Sequence, residues 1–64
     1  MITLNGKPAE GDGATVADLL ARLELPSRGV AVAVDAEVVP RGEWPSFVVP
    51  EGAHVEVVTA VQGG

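Results

Sequence analysis

Hydrophobic residues alternate with polar or small ones in three stretches of the chain and switch to a helical period in a fourth. Ile2 and Leu4 share one face of a short opening strand, Met1 to Leu4. Asn5-Gly6 follows it. Both residues tolerate positive φ, so the dipeptide predicts a two-residue hairpin turn. Lys7 to Glu10 is the return strand, and Pro8, with no N–H to give a ladder, puts that strand at an edge. After the loop Gly11-Asp12-Gly13-Ala14, the residues Val16, Leu19, Leu20 and Leu23 fall at i, i+3, i+4 and i+7. They predict a helix from Val16 to about Glu24. Thr15 is its N-cap; with Asp18 three residues on, Thr-x-x-Asp approximates a capping box, and Asp18 also suits the positive end of the helix dipole. Pro26 ends it, because the residue before a proline avoids the α region. So short a helix does not stand alone and must pack on a sheet.

Val30, Val32 and Val34 alternate with Ala31 and Ala33, the pattern of a central strand. Asp35-Ala36 is a tight turn, and Glu37-Val38-Val39 is a strand stopped by Pro40. Arg41 to Pro50 reads as irregular; it carries Pro45 and the only Trp and Phe. Trp44 and Phe47 are expected to cap the edge of the core, and Arg41 to pair with a nearby carboxylate. Glu51-Gly52 is a turn. His54 to Val61 is the last strand, with Val55, Val57, Thr59 and Val61 on one face and His54, Glu56, Val58 and Ala60 on the other. Gln62-Gly63-Gly64 follows. Segregated strands with one covering helix predict an α+β two-layer domain over residues 1–64, its mixed sheet covered on one face by the helix.

Composition narrows the function. In 64 residues there are 4 Lys+Arg against 9 Asp+Glu, a net charge of −5. Four cations neutralise few phosphates, so neither nucleic acid nor an anionic membrane surface is an expected partner. Cys is 0, which excludes disulfides, thiolate zinc sites and a thiol nucleophile. The hydrophobic fraction of 47% suits a globular core. The short apolar runs cannot span a bilayer, and a cytoplasmic protein is the expectation.

Side-chain chemistry is hard to assemble. His54 is the only histidine, and Ser27 and Ser46 have no base at a recognisable spacing. The carboxylates are scattered without calcium-loop spacing. Gly11-Asp12-Gly13 lacks the third glycine of a phosphate loop. No catalytic residue and no metal ligand is therefore expected. The Gly63-Gly64 pair has two readings. It is either an inert tail or a reactive one. Without Cβ atoms, such a tail threads a narrow channel and brings the backbone close to a ligand. The α-carboxylate of Gly64 is ionised at neutral pH and is able to attack the α-phosphorus of an ATP held by another enzyme.

Several segments together resemble the ThiS-type sulfur carriers of thiamine biosynthesis. They are Asn5-Gly6, the helix start Thr15-Val16-x-x-Leu19-Leu20, the Val-Ala-Val strand, Val38-Val39-Pro40-Arg41-Gly42-Glu43-Trp44, Glu51-Gly52 and Val61-Gln62-Gly63-Gly64. The resemblance spans essentially the whole chain. It implies a ubiquitin-like β-grasp fold of four to five strands. It also implies a carrier that is a co-substrate and not an enzyme. On this resemblance, an E1-like enzyme using Mg-ATP is expected to adenylate the Gly64 carboxylate, which is then expected to become a thiocarboxylate with sulfur from a donor such as a cysteine desulfurase, and thiazole synthase is expected to take the sulfur. The carrier itself is expected to bind no cofactor. A small subunit of molybdopterin synthase and a non-covalent β-grasp interaction module are the alternatives. Gly63 is expected to give access to the tail. Val58, Ala60 and Gln62 are expected to meet partners, joined by Ala31 and Ala33 on the uncovered face of the sheet.

Overall fold

A computed structural model describes residues 1–25 and 29–59 of the chain. Two hairpins carry four of the strands. β1 (Ile2–Leu4) and β2 (Lys7–Ala9) are joined through Asn5 and Gly6, at φ 52° and 85°. β3 (Val30–Val34) and β4 (Glu37–Val39) are joined through Asp35 and Ala36, at φ 52° and 71°. Positive φ at both central residues gives the backbone twist that a two-residue hairpin needs. β5 (His54–Thr59) lies between the hairpins, parallel to β1 and antiparallel to β3. The strand order is β2-β1-β5-β3-β4. Pro8 therefore sits in an edge strand, where a missing N–H costs nothing.

α1 (Val16–Arg22) covers one face of the sheet. The Thr15 side chain accepts the Asp18 N–H at 3.1 Å, so the Thr15 half of the predicted capping box is formed. The C-terminus corrects the prediction. The helix stops at Arg22, and the stop is local. Glu24 adopts φ 58°, its N–H donates to Ala21 O, and the Leu25 N–H donates to Leu20 O. This is a Schellman closure with Glu24 in the place that glycine usually takes. Pro26 and Ser27 lie outside the described residues. Because the helix ends early, Leu23 is exposed at the C-cap and Leu25 packs against the core in its stead.

The segment after β4 is more ordered than its prolines imply. It contains a short 3-10 turn (Arg41–Glu43) and a bridge between Thr15 and Val48. Its carbonyls satisfy the helix start: Val16 N–H donates to Phe47 O at 2.9 Å and Ala17 N–H to Trp44 O at 3.0 Å. Helix N–H groups of the first turn have no partner within the helix, so this segment supplies what the sheet cannot. Trp44 lies within the core and is not an edge cap; its Nε1 donates to Val39 O at 2.9 Å. Phe47 packs half-buried against that core.

The core joins Ile2 and Val55, both wholly buried, with Val32, Val34 and Val39 of the sheet, Val16, Leu19 and Leu20 of the helix, and Trp44 and Val49. The face alternation predicted for β5 holds where it is described. Val55 is buried and Val57 half-buried, but Thr59, at the end of the strand, is exposed. Arg41 forms no ion pair among the described residues. The one present joins the N-terminal ammonium to Asp12 at 3.3 Å.

Two outcomes test this packing. Trp44→Phe keeps most of the apolar volume but loses the indole bond, and is expected to cost about 1–2 kcal/mol in urea unfolding. Thr15→Ala loses the cap and is expected to cost about 1 kcal/mol. The Asp12 carboxyl is held below its ordinary value, by the hydrogen bond from its own backbone N–H and then by the N-terminal ammonium. Its contribution is complete above the unfolded carboxyl value of about 3.9 and disappears as pH falls through the lower folded value. Asp12→Asn is expected to remove that part of the acid dependence of the urea midpoint.

Candidate functional site

The face of the sheet opposite α1 is open. Strand register sets what it displays. Ala31 lies opposite Val58 and Ala33 opposite both Val38 and Glu56, so these residues share the uncovered face. Val58 is 62% exposed and Val38 71%. The result is a strip of small and branched apolar side chains across β4, β3 and β5, with Glu56 in its row. Val58 and its alanine neighbours stand where the sequence put them. Val38 was missed, although the pairing of Val39 with the core left its neighbour no other face. Ala60, Val61, Gln62, Gly63 and Gly64 lie outside the described residues. The strip is carried partly by β5, the strand that leads to them.

The start of β5 has a different character. Thr3 Oγ1 and His54 Nδ1 share a hydrogen bond of 2.8 Å on the open face. The His54 backbone N–H donates to Asp35 Oδ1 at 2.9 Å, and Asp35 N–H donates back to His54 O at 2.7 Å. Asp35, Ala36, His54 and Glu56 line a shallow depression of about 380 Å³. His54 opens β5 and lies five steps from Thr59, roughly 17 Å at strand spacing. Ser46 Oγ donates to its neighbour's carbonyl, Glu43 O, at 3.3 Å, and His54 is engaged by Thr3. No serine–histidine pair forms among the described residues. Nor do three His, Asp or Glu side chains gather as metal ligands there. No helix among the described residues is long and apolar enough to cross a membrane.

A five-stranded mixed sheet in this order, with one helix on one face, defines a ubiquitin-like β-grasp protein. The sequence profile of the ThiS family matches residues 2–64. A sulfur carrier protein ThiS from Thermus thermophilus is 36% identical over 64 residues, all of both chains. Its counterpart from Escherichia coli is 33% identical over 52 residues, 81% of this chain and 79% of that one. The crystal structure of a thiamine biosynthesis protein (ThiS) from Geobacter metallireducens superposes with a TM-score of 0.79 at 34% identity, covering 98% of this chain and 97% of that one. The chain belongs to the ThiS family of small sulfur carrier proteins.

The open face is solvent-facing surface and not a second core. Val38→Thr and Val58→Thr keep the β-branched shape and are expected to change stability by no more than about 0.5 kcal/mol. The same change at buried Val55 leaves a hydroxyl in an apolar site and is expected to cost about 1–3 kcal/mol. Thermal unfolding of the three variants side by side decides the point.

Proposed function

We propose that this chain carries sulfur for thiazole formation in thiamine biosynthesis on its own C-terminal carboxylate. The observation that carries the reading is the family match running through Gly63-Gly64. In the reaction, a carboxylate oxygen of Gly64 attacks the α-phosphorus of ATP, and pyrophosphate leaves. Hydrosulfide then attacks the acyl carbon of the adenylate, AMP departs and a thiocarboxylate remains; where the sulfur arrives as a donor's persulfide, the acyl disulfide first formed is cleaved by a second thiol, which ends as a disulfide with the donor cysteine while the thiocarboxylate leaves. An E1-like activating enzyme supplies the Mg-ATP site, a donor such as a cysteine desulfurase supplies sulfur, and thiazole synthase accepts it in the cytoplasm. The carrier holds no cofactor of its own and is a co-substrate in each step. Gly63 keeps the approach to the acyl carbon free of side chains.

The body serves as the grip. Val58, with Ala60 and Gln62 further along the chain, meets the activating enzyme, and the Val38–Ala33–Ala31 strip extends that contact. An apolar strip rimmed by charge suits transient docking, and the net charge of −5 steers the carrier to basic partner surfaces. The family match favours thiamine over a molybdopterin-type carrier, and carriage over a non-covalent module.

Intact mass spectrometry tests the chemistry. Incubated with the activating enzyme, Mg-ATP and a sulfide source, the chain is expected to gain the mass difference of one sulfur replacing one oxygen. Deleting Gly64 is expected to abolish the gain. Val58→Asp is expected to lower kcat/KM for activation about tenfold or more while the variant stays folded. An unchanged mass in the intact chain overturns the reading.

A further inference from the structure

β1 ends at Leu4, whereas β5 continues to Thr59. The edge of β5 that faces β1 therefore runs out of backbone partners. Asn5 N–H still reaches Val55 O at 2.8 Å. At the next position on that edge, Val57, the partner is the Asn5 side chain. Val57 N–H donates to Asn5 Oδ1 at 2.8 Å, and Asn5 Nδ2 donates to Val57 O at 3.3 Å. The side-chain amide thus imitates one more rung of a ladder. The same residue sits in the left-handed region at φ 52° and starts the hairpin turn. The amide side chain, with a donor and an acceptor on one planar group, meets both the N–H and the C=O of Val57. Glycine makes the turn without the clamp, and an ionised aspartate offers acceptors alone.

We propose that Asn5 is a positioning residue for the terminal carboxylate. It fixes the distal half of β5, the strand that continues in sequence toward Gly64. This rests on the reading that Gly64 is activated and sulfurated. Seven residue steps separate Val57 from Gly64, and the stretch of β5 that Asn5 holds is the last described part of the body before them. Without the clamp, the end of β5 is held by β3 alone and must be ordered when a partner docks. That cost appears in the binding of the carrier and not in the chemistry that follows.

Two variants separate the clamp from the turn. Asn5→Gly keeps the turn and removes both side-chain bonds. Gly6→Ala strains the same turn, where φ is 85°, and leaves the clamp in place. Amide exchange of Val57 and steady-state activation by the E1-like enzyme are measured on the full chain, with unfolding curves alongside. Asn5→Gly is expected to exchange Val57 about tenfold faster and to raise the KM of the carrier about tenfold, with kcat within about twofold. Gly6→Ala is expected to lose stability with KM unchanged. Asn5→Asp, which keeps the acceptor for Val57 N–H, is expected to fall between, and it decides the matter if Asn5→Gly does not fold. Equal KM values in the wild type and the Asn5 variants overturn the positioning role alone. So does a rise that Gly6→Ala shares in proportion to its lost stability. A wild-type chain that gains no sulfur removes the underlying reading, and the proposal with it.

Discussion

The structure depends on the central strand. β5 is the only element paired on both sides by strands of different hairpins, and its Val55 is wholly buried beneath the helix. Each hairpin grips it twice, through the ladder and through the side chain at the head of its own turn. Asp35 takes the His54 N–H at one end, and Asn5 takes the N–H and the C=O of Val57 toward the other. Both residues have left-handed φ, and Asx side chains tolerate that conformation while reaching nearby backbone. One local choice therefore reverses the chain and anchors the strand beside it. In a domain this small, where a single core supplies little surplus stability, such double use matters.

The second constraint is the helix start. A short amphipathic helix packed on a sheet buries its apolar stripe, but it leaves N–H groups of its first turn without partners. Here the Trp44–Phe47 segment supplies the carbonyls, and Trp44 fills the space between helix and sheet. The link from β4 back to β5 is thereby a third piece of the core. Its prolines limit the conformations open to the unfolded chain, which favours the folded state when the native backbone accepts them.

Alternation and turn chemistry were enough to read the strands, the edge position of Pro8, the Thr15 cap and the open face that carries Val58. These are short-range signals, carried by neighbours in sequence. What stayed hidden was long-range. Glu24 as the helix stop was invisible because a glycine is the usual mark of that closure and none is present. Trp44 was placed at the edge because its partners, Val39 O and the helix start, are set by tertiary packing. Asn5 read as a turn residue and nothing more. Its side-chain bonds to Val57 cross 52 positions, and no spacing rule encodes them. The site was legible only as far as the tail's composition and the parity of β5. Val38 joined it once strand pairing assigned Ala33 as its neighbour.

The division between body and terminus has a chemical logic of its own. On the proposed reading, the chain presents an acyl adenylate and then a thiocarboxylate, both open to attack by nearby nucleophiles. An intramolecular thiol held close would compete at an effective concentration far above that of any partner, and thiolates are the strongest nucleophiles a protein side chain offers at neutral pH. The chain has no cysteine. Its only histidine is hydrogen-bonded to Thr3 at the start of β5. On that reading, the absence of cysteine leaves the activated terminus without a competing thiol of its own chain, and the chemistry falls to nucleophiles that other proteins supply.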